Sequence, residues 1–234
     1  MKTLAIIPAR GGSKGVHEKN IVKLGRRPLI EYTIKTALQS DLVNKVIVST
    51  DNQKIAKISQ LCGAEVPFLR PRKISGDSSQ SISTIKHTLQ FLKNKTNFVP
   101  EIILLLQPTS PFRTRQMIDK SIRLLKKSKS SSVISVSKIK KHPYSSFTLN
   151  NNLLKPYRKD FEKFSLRQTA PTLYFPTGAI YTFWNKNLKN NSMYGTKIKP
   201  MIIKDEKINI DIDTPFDLFI AEMILKNWKK FSHS

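Results

Sequence analysis

The sequence is poor in cysteine, in acidic side chains and in long hydrophobic runs, and each shortage excludes something. Cys62 is the only cysteine among 234 residues, so the chain forms no internal disulfide, as suits a reducing cytoplasm. No apolar run approaches the roughly 20 residues that cross a bilayer. The first apolar run is followed by charged residues and not by a signal-peptide cleavage site. We therefore expect a cytoplasmic globular protein without a membrane partner.

The shortage of acidic residues leaves a net charge of +25, from 41 Lys and Arg against 16 Asp and Glu. A nucleic-acid-binding protein is one interpretation, because residues 120–159 contain eleven basic side chains and no acid. Yet 31 of the 41 cations are lysines spread along the whole chain, and a charged run is usually a solvated face. An enzyme for anionic nucleotides would use the same positive field to attract its substrate. Nucleic-acid binding is kept as the alternative from another class of protein.

Several common catalytic patterns are also missing. No Ser-His-Asp or Cys-His set is evident, and no metal-ligand spacing connects the four histidines His17, His87, His142 and His233. The phosphate-binding patterns G-x-x-x-x-G-K-[ST] and G-x-G-x-x-G are both absent. Histidine-based nucleophilic catalysis and the two best-known nucleotide loops are therefore not expected.

What the chain does have is a basic, glycine-rich loop near its start, within residues 6–15 (IIPARGGSKG). The apolar run before it ends at a proline and predicts a buried strand of a parallel sheet. Gly11 and Gly12 let backbone N–H groups approach a ligand, and Arg10 and Lys14 add full positive charge. The loop predicts a phosphate site, although a solvated basic turn fits the same residues.

Strand and helix patterns alternate through the first 137 residues. The expected strands cover residues 3–7, 45–50, 65–69, 101–106 and 132–137, and the expected helices cover 29–40, 51–62, 81–93 and 114–127. This alternation predicts an α/β domain whose mostly parallel, Rossmann-like sheet lies between helices, in three layers. Ligands of such sheets bind beyond the carboxyl ends of the strands, so the Arg10 loop, residues 49–51 and residues 107–110 should face one crevice.

Residues 138–174 interrupt this alternation. They are rich in Lys, Ser, Asn and aromatic side chains, and the triplet 150–152 (NNN) predicts the turn of a hairpin. Long excursions of this kind are usually lids or association arms. We expect the chain to rejoin the sheet with a strand over residues 178–183, so that residues 1–234 form one domain with an inserted arm at 139–175.

The chain ends with a pair of aspartates before a helix. Isoleucines and polar residues alternate over 208–213, which predicts a strand whose far face carries both Asp211 and Asp213. Two neighbouring carboxylates suit Mg²⁺, although two exposed acids before a helix N-terminus would also be favoured by its dipole. Thr214 is expected to cap the last helix, with Asp217 three residues on. Its expected buried stripe comprises Phe216, Phe219, Ile220, Met223 and Ile224.

Taken together, these segments resemble the acylneuraminate cytidylyltransferases, or CMP-sialate synthetases. The matching motifs are IPARGGSKG at 7–15 followed by Lys19-Asn20, VSTD at 48–51, FLRP at 68–71, LLQPTSP at 105–111, TGAIY at 177–181 and IDIDTPFDL at 210–218. They occur in family order and cover nearly the whole chain. The resemblance implies a nucleotidyltransferase fold and a Mg²⁺-dependent reaction in which CTP and a nine-carbon 2-keto sugar acid give the CMP-sugar and pyrophosphate.

The resemblance also assigns residues to the nucleotide. It implies that CTP contacts Ala9, Arg10, Gly11, Gly12, Ser13, Lys14, Asn20, Arg70, and Ser81 or Ser83. Arg10 and Lys14 would hold the triphosphate and stabilise charge at the phosphorus, while the glycines would supply backbone donors. Asn20 would lie near the base, and Arg70 with one of the serines would line the cytidine side.

The remaining assignments concern the sugar and the metal. Gln107 would hydrogen-bond the sugar, and Arg167 and Tyr181 lie where the family contacts the sugar acid. Asp211 and Asp213 would bind Mg²⁺, and Asp211 could also draw the proton from the attacking hydroxyl. The arm resembles the family's dimerisation arm, which implies a homodimer.

The sugar and the base stay open. The sequence lacks the arginine-type residue expected before the turn at 176–178 in sialic-acid-using members, and it carries Phe175 there instead. That change and the residues at 142–144 and 167–168 favour legionaminic or pseudaminic acid, whose second acylamino group suits an apolar neighbour. Relatives acting on 3-deoxy-octulosonate lack the GGSKG pattern. Another nucleotide such as GTP is the alternative within the same chemistry.

Overall fold

The computed structural model describes residues 1–13, 15–76, 81–159, 162–164 and 170–228. Its strands are β1 (Thr3–Pro8), β2 (Lys23–Leu24), β3 (Arg27–Pro28), β4 (Lys45–Ser49), β5 (Ile102–Leu105), β6 (Ser132–Lys138), β7 (Phe147–Asn150), β8 (Leu153–Pro156), β9 (Tyr174–Trp184) and β10 (Ile198–Ile202). Its α-helices are α1 (Leu29–Leu38), α2 (Gln53–Leu61), α3 (Ser81–Thr96), α4 (Arg115–Lys127) and α5 (Pro215–Lys226). Short 3₁₀ helices cover Lys19–Ile21, Arg72–Ile74, Pro143–Ser145, Glu162–Phe164, Asn185–Asn190 and Glu206–Asn209.

Six strands form the central sheet in the order β10-β6-β9-β5-β1-β4. β1 lies parallel to both β4 and β5, and β10 lies parallel to β6. β9 runs antiparallel to both β5 and β6, so its first residues lie at the sheet edge where β1 and β5 end. The prediction of a mostly parallel α/β sheet is confirmed, and the expected strand at 178–183 is part of the longer β9.

Side chains alternate between the two faces of the sheet and meet a helix layer on each side. From β1, Ala5 and Ile7 join the cluster that includes residues of α1, α2 and α4. Leu4 and Ile6 join the opposite cluster, to which α3 contributes Ile82, Ile85 and Leu92. Since burying one such aliphatic side chain is worth roughly 1.5–3 kcal/mol, this doubly covered strand anchors the glycine-rich loop that follows it.

The segment between β6 and β9 contains the expected hairpin. β7 and β8 pair antiparallel, and Asn151 and Asn152 form the turn with φ of +47° and +59°. Asparagine tolerates this left-handed region better than most residues, which is the physical reason that the NNN triplet marked the turn. Along both strands every residue is exposed. The hairpin therefore leaves Leu149, Leu153 and Leu154 largely exposed to solvent.

Two predicted strands are absent from the sheet. Residues 65–69 make only isolated bridges, from Glu65 to Ile47 and from Leu69 to Thr50. Residues 208–213 form no strand, because a 3₁₀ helix covers Glu206–Asn209 and the following backbone pairs with a loop instead. Ile212 is buried while Asp211 and Asp213 on either side are exposed, so the alternation of the faces survives without a strand.

The last helix begins as predicted and packs differently. Thr214 and Asp217 form a capping box, with each side chain accepting from the other's backbone N–H. The predicted buried stripe is wrong for Phe216, Phe219 and Met223, which are exposed, and is confirmed for Ile224. Leu218, Ala221 and Leu225 join Ile224 in packing against Leu24, Leu29 and Phe112. Apolar residues surround much of α5, so periodicity alone could not select the inward face.

The described part of the chain holds no helix that is both long and apolar enough to span a membrane.

Candidate active site

A cavity of about 530 Å³ opens beyond the carboxyl ends of β1 and β5. Its walls are formed by Pro8, Arg10, Ser13, Gly15, Lys19, Asn20, Arg70, Ser81, Thr84, Gln107, Pro108, Thr109, Asp211 and Asp213. The fold thus brings together residues from both ends of the chain and from the loops between. Eight of the sequence-predicted site residues lie here: Arg10, Ser13, Asn20, Arg70, Ser81, Gln107, Asp211 and Asp213.

Backbone contacts fix the shape of the first loop. The Ala9 N–H donates to the Ser49 carbonyl at 3.0 Å, and the Gly11 N–H donates to Oδ1 of Asp51 at 2.8 Å. The buried Asn20 donates from Nδ2 to the Arg10 carbonyl at 2.8 Å. Asn20 therefore braces the loop in addition to lining the cavity. Because the Gly11 N–H is held by a carboxylate, Gly11 contributes loop geometry here and not a donor aimed at a ligand.

Gly15 joins this loop to the aspartate pair at the other end of the chain. A Cβ at Gly15 would lie 2.0 Å from the Asp213 carbonyl oxygen, far inside van der Waals contact. At Gly12, by contrast, an added Cβ would meet nothing within 4 Å. Close approach at Gly15 is what lets the basic loop and the aspartate pair share one cavity.

Arg70 is a buried cation in the cavity wall. Its Nη1 donates to Thr84 Oγ1 at 2.9 Å, and its Nε has no hydrogen-bond partner among the described residues. Desolvation lowers the pKa of Arg70, the nearby Asp51 carboxylate acts in the opposite direction, and Arg10 lowers it further. A buried donor without a partner is costly, so this side chain is suited to a ligand that supplies an acceptor.

The two aspartates differ in their surroundings. Lys19 Nζ lies 2.7 Å from Oδ1 of the exposed Asp213. The pKa of Asp211 is raised, chiefly by desolvation; a hydrogen bond with Thr109 opposes the shift, and the charge of Asp213 adds to it. A cation between the two carboxylates would relieve that repulsion.

The donor set fits Mg²⁺ only as part of a larger shell. Asp211 and Asp213 supply the hard oxygen ligands that Mg²⁺ prefers. Within the described ranges, no group of three or more His, Cys, Asp or Glu side chains could hold a metal alone. Mg²⁺ characteristically keeps water and substrate phosphates as its other ligands, and the cavity has room for both beside the pair.

Gln107 lies in the cavity wall, and beside it Gly178 sits within β9 where the pairing with β6 shifts register. This irregularity, in place of the expected turn before a strand, is called the Gly178 turn. An added Cβ at Gly178 would lie 2.6 Å from Gln107 Oε1, 3.2 Å from Ser110 Oγ and 3.6 Å from Asp211 Oδ2. Gly178 also has φ of +74°, so glycine is required both for the turn and for the close approach. Gln107 and Asp211 consequently converge on the same few ångströms of backbone.

Tyr181 lies apart from these residues. It packs against the α3-side cluster and is not part of the cavity wall. Burial raises the pKa of its hydroxyl to about 12, and the charges of Tyr194 and Asp211 add to the effect. A neutral, partly buried phenol at this place supports the sheet beneath the site more directly than it contacts a ligand.

The other predicted residues fall into two groups. Four of them, Ala9, Gly11, Gly12 and Ser83, lie outside the cavity wall. Lys14 and Arg167 lie outside the described residues.

Sequence reasoning assigned no role to three contributors, Lys19, Asp51 and Arg113, although it expected residues 49–51 to face the crevice. Lys19 and Asp51 stand inside noted motifs, but their contacts cross 194 and 40 residues of chain and cannot be derived from local pattern. Arg113 is buried and its hydrogen bonds reach residues as far as 80 positions away. A basic residue directly before a helix normally indicates an exposed position, so no local signal pointed to it.

Comparison with known proteins gives a consistent result. A family model described as cytidylyltransferase matches residues 4–230. The chain is 36% identical to a CMP-N,N'-diacetyllegionaminic acid synthase of Legionella pneumophila over 97% of both chains. It is 33% identical to an N-acylneuraminate cytidylyltransferase of Escherichia coli, covering 94% of this chain and 51% of that protein. A pseudaminic acid cytidylyltransferase of Campylobacter jejuni is 27% identical over 97% of both.

One solved structure supports the fold independently. It is a CMP-2-keto-3-deoxy-manno-octonic acid synthetase in complex with CTP, with a TM-score of 0.69 and 16% identity, covering 97% of this chain and 100% of that one. At this level of identity the likeness concerns the arrangement of helices and strands. It agrees with the α/β architecture expected from the alternating pattern.

Proposed function

Because the chain belongs to the cytidylyltransferase family, we propose that it transfers CMP from CTP to a nonulosonic acid and releases pyrophosphate. The relatives named above act, by their names, on three such sugar acids. The single observation that carries the proposal is the cavity itself, in which Arg10, Arg70, Gln107, Asp211 and Asp213 converge from distant parts of the chain.

The nucleotide occupies the side of the cavity formed by the first loop and α3. Arg10 and Lys14 grip the triphosphate and stabilise negative charge that develops at the α-phosphorus. Arg70, with its unpartnered Nε, and Ser81 offer donors to the cytidine side. Asn20 keeps the loop in shape through the Arg10 carbonyl, so the phosphate groups meet a preorganised surface.

Mg²⁺ is proposed as the cofactor and is held by Asp211 and Asp213 together with substrate oxygens and water. When bound, it neutralises phosphate charge and orients the triphosphate. The Lys19 ammonium group pairs with the Asp213 carboxylate, so a positive charge is already favoured beside this aspartate. Removal of divalent cations by a chelator should therefore abolish turnover and leave the fold intact.

The chemical step is a substitution at phosphorus. The anomeric hydroxyl of the sugar attacks the α-phosphorus, a new C–O–P bond forms, and the bond to the pyrophosphate oxygen breaks. Asp211 accepts the hydroxyl proton, because its carboxylate lies next to Gln107 at the Gly178 turn. Gln107 orients the sugar beside it, because both side chains converge on the Gly178 turn.

The proposed sugar carries a second acylamino group, as in legionaminic or pseudaminic acid. Phe175, in the stretch leading to the Gly178 turn, is 65% exposed and presents an apolar ring. The 36% identity to the legionaminic acid synthase supports this choice, and the 33% identity to the N-acylneuraminate enzyme makes N-acetylneuraminic acid the comparison substrate.

A homodimer in the cytoplasm completes the proposal. The β7–β8 hairpin exposes Phe147, Leu149, Leu153 and Leu154, an apolar set that suits contact with a second copy. Cys62 is a free, buried thiol, as is usual in a reducing compartment.

The test is pyrophosphate release in the presence of Mg²⁺, crossing CTP, GTP, UTP and ATP with N-acetylneuraminic, legionaminic and pseudaminic acids. We expect release only with CTP, and fastest with a diacylamino sugar. If N-acetylneuraminic acid alone reacts, the proposed sugar class is wrong. Turnover with GTP in place of CTP would contradict the assignment of the base.

A further inference from the structure

Arg113 is a buried cation that the proposed reaction has not used. It lies between the loop that carries Gln107 and the start of α4, and only 3% of it is exposed. Nε donates to the Ala179 carbonyl at 2.8 Å, Nη1 donates to Thr33 Oγ1 at 2.5 Å, and Nη2 donates to the Gln107 carbonyl. The guanidinium therefore joins three elements: the loop after β5, strand β9 and helix α1.

A buried arginine such as Arg113 is expected to contribute little to the stability of the fold. Its three acceptors are neutral oxygens, and desolvation lowers the pKa of Arg113 to about 9, partly offset by the charge of Asp211. Burying an ion is costly, and well-packed apolar residues often replace buried ions without loss of stability. The contribution of Arg113 is better sought in the groups that it holds in place.

One of those groups, Gln107, belongs to the wall of the cavity. The bond from Arg113 to the Gln107 carbonyl closes residues 107–113 on themselves. Within that closed loop, the Thr109 carbonyl accepts from the Ile212 N–H at 2.8 Å, and Ser110 Oγ donates to the Thr177 carbonyl at 3.3 Å. Since Ile212 follows Asp211 and Thr177 precedes Gly178, the loop fixes both the acid and the turn that face Gln107.

We propose that Arg113 is a positioning residue for the sugar acid, which holds Gln107, Asp211 and the Gly178 turn at the distances that the reaction needs. The inference rests on the proposed function. It extends that function because Arg113, a side chain outside the cavity wall, determines where the sugar lies and has no part in placing CTP.

The role requires arginine and not merely a positive charge. The planar guanidinium presents donors in several fixed directions and reaches acceptors on three elements at once. A lysine ammonium is a single point on a flexible stem and cannot contact all three oxygens in this arrangement. Arg113→Lys therefore keeps the charge and removes the geometry.

The experiment compares Arg113→Lys with Arg115→Lys, the same substitution at an exposed residue that pairs with Asp41. Steady-state kinetics give KM for the sugar, KM for CTP and kcat; calorimetry gives CTP affinity; thermal unfolding gives Tm. We expect kcat/KM for the sugar to fall about 100-fold in Arg113→Lys, since displacement of about 1 Å costs that much. CTP affinity and the Arg115→Lys variant should stay within about twofold of wild type.

A second variant and a second readout keep the test decisive. Thr33→Val removes one acceptor and keeps the guanidinium, so we expect a loss of about 5- to 10-fold in kcat/KM for the sugar even if Arg113→Lys does not fold. Amide exchange should speed up in peptides covering 104–112 and 176–182 in either variant. This readout needs no turnover, so it tests whether Arg113 holds these two segments in place even if wild-type protein proves inactive and the proposed function fails, while the sugar kinetics test the positioning of the sugar.

Two results would overturn the inference. One is wild-type sugar kinetics together with unchanged amide exchange in Arg113→Lys and Thr33→Val. The other is a parallel loss of CTP affinity, sugar affinity and Tm, which indicates a general structural role and no positioning of the sugar.

Discussion

At the scale of single residues, the site depends on backbone contacts between distant parts of the chain. Gly15 touches the carbonyl of Asp213, Gly11 is held by Asp51, and Gly178 leaves room for Gln107. None of these three glycines needs to touch a ligand to be required. Their common effect is to let loops from different strands approach more closely than any side chain would allow.

This view predicts the effect of Gly15→Ala. Because the new Cβ would lie 2.0 Å from the Asp213 carbonyl oxygen, the first loop and the aspartate pair must separate. We expect kcat/KM to fall about 100-fold, as is typical when reacting groups shift by about 1 Å. Gly12→Ala is the matched comparison in the same loop, because its Cβ enters open space, and it should lose much less activity. Equal losses in steady-state assays would contradict the account.

The pKa of Asp211 predicts a trade between stability and activity. Desolvation raises this pKa above its value in the unfolded chain, so the folded state binds the proton more tightly. The Asp211 carboxyl therefore contributes nothing to the stability of the fold at pH below the ordinary Asp range. It destabilises the fold as the pH rises through its pKa in the folded state. Asp211→Asn removes that cost and should raise Tm at neutral pH while abolishing turnover.

The measurement is thermal unfolding from about pH 8 to about pH 3, with Asp213→Asn at the more exposed carboxylate as the comparison. The gain in Tm for Asp211→Asn should disappear at the acidic end of this range, because the protonated Asp211 of the wild type and the asparagine of the variant are then both neutral. A gain that persists unchanged at low pH would show that it does not come from the carboxylate charge.

The local sequence predicted these residues unevenly, and for a physical reason. Arg10 and Gln107 stand at strand ends, where the α/β topology alone directs them to one crevice, whereas the aspartate pair reaches the same cavity without a strand. The pairing of Asn20 with the Arg10 carbonyl and of Asp51 with Gly11 depends on how α2 and the 3₁₀ turn at Lys19–Ile21 pack. Such contacts follow from tertiary geometry and cannot be predicted from composition or residue spacing.

At the scale of elements, the β7–β8 hairpin is distinguished by the apolar side chains that it exposes. Leu149 and Leu154 are cross-strand partners, and they are 69% and 65% exposed. An isolated two-stranded hairpin is at best marginally stable in water. Its apolar side chains therefore fit an interface with a second copy.

The prediction concerns Leu149→Asp. A charge placed in a buried apolar contact is strongly unfavourable, so we expect the dimer to dissociate at least about tenfold more readily, measured by light scattering over a dilution series. Leu61→Asp is the control, because Leu61 is equally apolar and 79% exposed on α2. If both variants keep the mass of the wild type, or if the wild type is monomeric, the hairpin does not form the interface.

Elements were predicted well where the local chemistry was unambiguous. The capping box at Thr214 and Asp217 follows from hydrogen bonds within four residues, and the asparagine turn of the hairpin follows from the tolerance of asparagine for positive φ, so the local sequence suffices for both. The face of α5 and the course of residues 208–213 do not follow from the local sequence. Ile212 is buried because the Thr109 carbonyl holds its N–H, a contact that replaces the expected strand ladder.

At the scale of the whole molecule, the sheet order explains why both ends of the chain build one site. β1 lies beside β5 in the middle of the sheet, and β9 enters between β5 and β6 in the opposite direction. The Gly178 turn within β9 therefore meets the loop after β5. The antiparallel strand could not be inferred from alternation, since its apolar run is compatible with either direction.

The net charge of +25 has its clearest use in this arrangement. The cavity wall contains the cations Arg10, Lys19 and Arg70 beside the carboxylates Asp211 and Asp213, and the whole chain carries an excess of lysine. A positive field raises the local concentration of a polyanionic substrate and speeds its association. A triphosphate is attracted by this charge distribution in the same way that a nucleic acid would be.

The most direct test of the central claim is the phosphorus NMR spectrum of wild-type protein incubated with CTP, Mg²⁺ and N,N'-diacetyllegionaminic acid, with N-acetylneuraminic and pseudaminic acids in parallel. The account predicts loss of the triphosphate signals and growth of two products in equal amounts, pyrophosphate and a phosphodiester that joins CMP to the sugar. Folded protein that leaves CTP intact with all three sugars, or that produces CMP or CDP without the phosphodiester, would contradict it.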